Sequence, residues 1–254
     1  MIDPGPIGDL SPWLLLAGPL AILFAYTVFG ISGFGSTVIA VPILAHFLPV
    51  PFLVPLMVLL DMSAALFVGT TGRRHVNGSE LKRLLPFMFV GFAVGLTLLV
   101  KVPQEWLKIA LGLFTAIIGV HSLANRGVTG TISRWWCIPA GISAGAIATI
   151  FGAGGPIYIT YLSGRLKDKS ELRSTISTLI SVSAFSRAIL YAVSGLLLHV
   201  AIFAGMAVLA PFVWAGLKLG TRIHVGLSQE QMRRVIGGLL VLTGGSLLVR
   251  SFLG

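Results

Sequence analysis

Gly30-Ile31-Ser32-Gly33-Phe34-Gly35-Ser36 interrupts one long apolar stretch, and Phe151-Gly152-Ala153-Gly154-Gly155-Pro156 interrupts another. Glycine is about 1 kcal/mol worse than alanine inside a helix, so each cluster stops one helix and starts the next. The segments beyond the breaks, 33–48 and 155–163, fall short of the roughly 20 apolar residues a bilayer-crossing helix needs. Outward from them run apolar stretches at 12–30, 50–71, 84–100, 107–124, 135–151, 174–197, 200–220 and 235–253, covering nearly all of the 254 residues.

Composition agrees with that pattern. Hydrophobic residues make up 56% of the chain and charged residues 10%, against roughly 25% charged in a soluble domain. Mean hydropathy is +0.96. Too few charges are present to cover a water-exposed surface, so the chain reads as an all-α integral membrane protein in contact with lipid. The net charge of +10 does not read as a nucleic-acid footprint. No Lys or Arg precedes Arg73, and the later ones cluster in short gaps between apolar runs, where they act as topology signals. The N-terminus carries Asp3 and Asp9 and no basic residue, so residues 12–30 read as a retained first helix. The lone Cys137 rules out an intramolecular disulfide and reads as a packing residue.

The two breaks belong to an internal repeat. A shift of 119 lays Gly33, Gly35 and Ser36 on Gly152, Gly154 and Gly155. A shift of 125 lays Gly91 on Gly216, Gly95 on Gly220, Gly112 on Gly237, and Gln104-Glu105 on Gln229-Glu230. The halves are 1–125 and 126–254. Basic clusters at Arg73–Arg83, Arg126–Arg134, Arg165–Arg173 and Lys218–Arg234 can all be cytoplasmic if each short segment counts as one crossing. That gives two inverted repeats of about five transmembrane segments, with both termini outside. Eight spans with two re-entrant loops is the alternative.

A glycine break in an apolar run frees backbone groups that lipid cannot satisfy, so it persists where it lines a cavity or is buried in protein. Two helix starts meeting near the midplane would offer N–H groups and positive dipole ends to a small anion. The candidate binding residues are Gly33, Phe34, Gly35, Ser36, Thr37, Gly152, Ala153, Gly154, Gly155, Pro156 and Arg187, with hydroxyls of Ser32, Thr37 and Thr149 available to oxyanion oxygens. The competing reading makes the glycines packing residues, which suits Gly91, Gly95, Gly216, Gly220, Gly237 and Gly238 better. Tyr158 and Tyr161 read equally as ligands or interface aromatics.

Asp61 and Arg187 fall inside equivalent runs of the two halves, and every other Asp or Glu falls in an expected loop or tail. A charge at that depth costs a few kcal/mol. The pair is expected either as a structural ion pair joining the halves, or as an anion-binding arginine with a proton-carrying aspartate. His46, His121 and His199 fall at segment ends, and His75 and His224 beside basic clusters. No spacing suggests a metal site, and no Walker or Rossmann loop is present, so no cofactor is expected. One embedded carboxylate does not support a two-carboxylate intramembrane enzyme.

Gly33-Phe-Gly35-Ser-Thr-Val-Ile-Ala-Val-Pro42-Ile-Leu resembles the first signature of the TauE/SafE sulfite exporter family, also called the TSUP permeases, and Phe151-Gly-Ala-Gly-Gly-Pro156 resembles the second. Phe34 and Ser36 interrupt the run of consecutive glycines usual in the first. The resemblance covers the whole chain. It implies a secondary transporter of sulfite, organosulfonates or other small sulfur-containing anions and carboxylates; a bacterial inner-membrane location and protons as the coupling ion are the accompanying expectations. An anion channel of the same architecture is the other reading, and a homodimer is among the assemblies left open.

Overall fold

The computed structural model describes residues 12–32, 35–68, 75–124, 131–223 and 229–253. Among them are ten α-helices and no strand: α1 (Pro12–Ser32), α2 (Ser36–Leu44), α3 (Val50–Val68), α4 (Gly78–Lys101), α5 (Gln104–Leu123), α6 (Cys137–Phe151), α7 (Gly155–Ser163), α8 (Lys169–Val193), α9 (Val200–Ile223) and α10 (Gln229–Leu253). Five are long and apolar enough to cross a membrane, at Gly78–Lys101, Gln104–Leu123, Ser170–Val193, Val200–Arg222 and Arg234–Ser251. Helix is the form a lone apolar segment must take in lipid, because it satisfies its own backbone. Two long helices begin at side-chain caps. Asn77 accepts from the Glu80 N–H at 2.9 Å, and Asp168 from the Glu171 N–H at 2.8 Å. In both, a Glu in the first turn suits the positive end of the helix dipole.

Helices exchange partners between the two sequence halves. α4 packs on α6, α1 on α9, and α5 on α10. Glycines permit this close approach, and the contacts recur at the shifts read from the sequence. A Cβ on Gly91 would run into Ile142 O, Ala146 N and Gly145 Cα, whereas one on Gly216 would meet Leu23 O, Thr27 N and Tyr26 Cβ. Adding 119 to Leu23, Tyr26 and Thr27 gives Ile142, Gly145 and Ala146. Gly112 lies against Gly244 and Leu248, and Gly237 against Gly119 and Leu123, each set being the other shifted by 125. Gly112 meeting Leu248 while Gly119 meets Gly237 also makes α5 antiparallel to α10. Gly91 and Gly95 meet successively later residues of α6, so α4 and α6 run parallel.

One apolar core joins α4, α6, α7 and α8. The other joins α1, α2, α3, α9, α5 and α10, with Ile150, Phe151, Ala153, Ala188 and Tyr191 reaching in from α6, the second break and α8.

α6 and α7 form a hairpin. The Ile132 N–H donates to Gly164 O at 3.0 Å, so the end of α7 returns to the segment that precedes α6. Nine residues extend roughly 14 Å, half of the roughly 30 Å apolar slab. The short segment is therefore the shorter, returning arm of the hairpin, and both hairpin ends share one end of the molecule. The starts of α4 and α8 lie there too, because the Asn77 side chain donates to Glu171 at 2.8 Å and Arg165 donates to Glu80 at 2.9 Å. That end therefore collects Lys82, Arg83, Arg134, Arg165, Lys167 and Arg173. α2 ends at the opposite face, where Arg250 of α10 donates to His46 O at 3.1 Å. Arg73, Arg74, Arg126 and His224 lie outside the described residues.

Candidate functional site

The first break ends at Gly35, whose φ of 98° places it in the left-handed region that glycine tolerates best. It turns the chain so that Ser36 and Thr37 open α2, both buried. Their hydroxyls converge on Asp61 of α3. Ser36 Oγ donates to Asp61 Oδ1 at 2.8 Å, and Thr37 Oγ1 to Oδ2 at 2.7 Å. The Tyr26 hydroxyl of α1 adds a third bond to Oδ1 at 2.8 Å. Hydrogen bonds to a charged acceptor are roughly twice as strong as neutral ones, and three of them replace much of the hydration this carboxylate loses.

Gly152 ends α6 with φ 72°. A Cβ there would collide with Thr37 Cγ2. The structure thus brings the two breaks into contact through the methyl group of Thr37, whose hydroxyl holds Asp61.

Arg187 of α8 is 4% exposed. Its Nη1 donates to Ala148 O at 2.7 Å, in the last turn of α6, where the helix dipole favours a cation. Tyr191 donates to the adjacent Thr149 O at 2.6 Å. Arg187 Nε has no hydrogen-bond partner, and neither has the hydroxyl of Tyr158 on α7. Asp61 and Arg187 do not form an ion pair among the described residues. Each has its own neutral partners on its own side of the Thr37–Gly152 contact, so the structural ion pair expected from the sequence is absent from this conformation.

Other expected site residues divide. Gly33 and Phe34, and the side chain of Ser32, lie outside what the structure describes. Gly154 packs the hairpin, since a Cβ there would be 2.5 Å from Ala144 O and 2.9 Å from Ala148 Cβ. Gly155 faces open space, with no atom within 4 Å of its Cβ position. Ala153 is buried and Pro156 partly exposed at the start of α7. Thr37 and Thr149 spend their hydroxyl protons within the protein, on Asp61 and on Gly145 O, so in this conformation neither is a free donor to a ligand.

Three residues were missed. Tyr26 and Tyr191 are wholly buried with their hydroxyls bonded, and the signal was available in principle, because a tyrosine deep in an apolar run needs a partner. Glu80 was assigned to a loop but lies in the first turn of α4 at 4% exposure. It binds Arg165 at 2.9 Å, Tyr161 at 2.7 Å and Arg83 at 3.1 Å. This cluster ties α4 to the end of α7, which makes Tyr161 a structural partner.

The family model described as sulfite exporter TauE/SafE matches residues 19–247. A curated protein of Comamonas testosteroni, "Probable inner membrane transporter protein TsaS", is 29% identical over 194 residues, covering 76% of this chain and 81% of that protein. No solved structure matches the chain.

Proposed function

The chain belongs to the sulfite exporter TauE/SafE family, and from that premise we propose that it is a secondary transporter of sulfite, an organosulfonate or a related small sulfur-containing anion, working by alternating access and coupled to protons. Membrane transport follows from the family. The choice of anion, the coupling and the mechanism are our reading, as is its placement in a bacterial inner membrane with the strongly basic end in the cytoplasm. The antiparallel packing of α5 on α10 and the recurrence of contacts at two fixed shifts support repeats inverted across the membrane plane.

One observation carries the mechanism: the two breaks touch at Thr37 and Gly152, with an aspartate on one side and an unpaired arginine nitrogen on the other. Arg187 takes the anion. Asp61 takes the proton, at a carboxyl group held in place by three hydroxyls. Asp61 lies among helices of one apolar core, whereas Arg187 lies on α8 where the two cores meet, with Ala188 and Tyr191 in the first and Leu179 in the second. Motion of one core against the other exposes the breaks first to one face and then to the other.

Reconstituted vesicles test this. Purified protein should carry sulfite or methanesulfonate saturably down an imposed pH gradient. Asp61→Asn should abolish the gradient dependence, and Arg187→Gln should abolish anion binding. A large unitary conductance with no dependence on the proton gradient would make the protein a channel and overturn the coupled mechanism.

A further inference from the structure

Among the described residues two buried side-chain donors remain unused, and both flank the second break. Arg187 Nε and the Tyr158 hydroxyl are buried without hydrogen-bond partners, their residues 4% and 1% exposed. Buried polar groups are nearly always bonded, and an unmatched one is expensive. Five other buried hydroxyls around the two breaks are engaged: Tyr26, Ser36 and Thr37 on Asp61, Thr149 on Gly145 O, and Tyr191 on Thr149 O. Tyr158 and Tyr191 thus lie near the same arginine, yet only one phenol is committed. The Tyr158 hydroxyl lies beside the side chain of the buried Ser183, outside hydrogen-bond geometry, and within electrostatic reach of Arg187. Side chains on a helix lean toward its N-terminus, which on α7 is the break. Gly155, three residues earlier and so on the same face, borders open space.

We infer that the Tyr158 hydroxyl is a second anchor for the transported oxyanion, donating to one oxygen while Arg187 Nε donates to another. This rests on the reading of Arg187 as the anion-binding residue and adds a specificity element to it. A sulfite or sulfonate group offers several acceptor oxygens to two separated donors, whereas chloride offers one centre. The phenol gives the site directional preference for oxyanions over halides, and it does so without a second buried cation.

The test compares two conservative variants of the full-length protein in detergent, with sodium sulfite and sodium methanesulfonate as probes. Tyr158→Phe removes only the unbonded oxygen. It should leave the thermal midpoint of the empty protein unchanged or raised, and weaken binding of both probes about tenfold, as expected for a lost hydrogen bond to a charged partner. Tyr191→Phe removes a bonded oxygen and should lower the empty midpoint. That opposite sign in the empty protein separates a ligand donor from a structural one. Unchanged affinity in Tyr158→Phe, at any thermal midpoint, overturns the inference. If the wild type binds both probes and Arg187→Gln does not, while Tyr158→Phe binds normally, the anion reading stands and the tyrosine anchor alone falls. If the wild type binds neither probe, the anion reading itself falls.

Discussion

Gly152→Ala probes the contact between the two breaks most directly. The added methyl meets two obstacles. The φ of 72° is a left-handed conformation that costs a side-chain-bearing residue about 1–2 kcal/mol. The new Cβ would also collide with Thr37 Cγ2 and approach Thr37 Cβ to 3.1 Å, and overpacking of this kind costs about 1–3 kcal/mol. Together they predict a loss of about 2–5 kcal/mol. For a chain of this size that lowers the melting midpoint by roughly 5–15 °C on the scale of soluble proteins. Thr37→Ser separates the two terms, since it deletes the colliding methyl and keeps the hydroxyl that donates to Asp61 at 2.7 Å. Alone it should cost about 1 kcal/mol, the value of one buried carbon. In that background Gly152→Ala should cost only the backbone term, giving a favourable coupling of about 1–3 kcal/mol in the cycle. Thermal melts of the four proteins in one detergent measure it. Equal losses from Gly152→Ala in both backgrounds would refute the contact, and with it the meeting of the two breaks.

Gly155→Ala should fold with a wild-type midpoint, because its Cβ meets nothing within 4 Å, while Gly154→Ala should lose about 1–3 kcal/mol by overpacking the hairpin; thermal melts distinguish them, and reduced sulfite uptake by a stable Gly155→Ala would mark the open space as ligand volume. Glu80→Ala strands Arg165 and the Tyr161 hydroxyl, and should cost about 3 kcal/mol, the lower end for breaking a buried pair, read as a fall in midpoint. Gly91→Ala and Gly216→Ala occupy equivalent contacts in different cores, so each should cost about 1–3 kcal/mol and the double variant should be additive within about 0.5 kcal/mol; strong coupling in the double-variant melt would show that the two contacts are energetically linked and refute their independence. Cysteines at Asp168 and Arg134 should be labelled only from the cytoplasmic side, and one at Lys101 only from outside, with impermeant maleimide as the probe; external labelling at Asp168 would overturn the orientation.

What was legible in the sequence is what one-dimensional spacing encodes. Glycine density marked both breaks, and the nine-residue helices α2 and α7 follow from them. The shifts of 119 and 125 reappear as residue-by-residue contacts because glycine at a helix interface is demanded by the distance between backbones. Gly237 and Gly238 show the limit of that reading: the first faces Gly119 and Leu123, whereas the second faces open space, and adjacent positions on a helix point in different directions. The hairpin of α6 and α7 was not legible, because a bond such as Ile132 to Gly164 leaves no mark in hydropathy. Glu80 was misplaced for a related reason. It sits three residues beyond the cap at Asn77, among Lys82 and Arg83, and looks like loop composition until Arg165 and Tyr161 close over it.

A structural ion pair was one of two readings of the intramembrane charges, and on the proposed mechanism their actual environments serve transport better than that pair would. A direct ion pair in a low-dielectric interior is a deep energetic trap for both partners, and an anion would have to break it before binding. Asp61 is instead held by three hydroxyls, which stabilise a negative charge strongly but leave the group free to accept a proton, since each hydroxyl can turn and accept in its place. Arg187 leans on a carbonyl at the end of α6, a partial charge that offsets part of its desolvation and leaves Nε unfilled. The negative group is thus satisfied and the positive group is not. On the proposed mechanism that asymmetry gives the resting site a net appetite for an anion, while the Thr37–Gly152 contact links the segment holding the aspartate to the segment whose last turn holds the arginine.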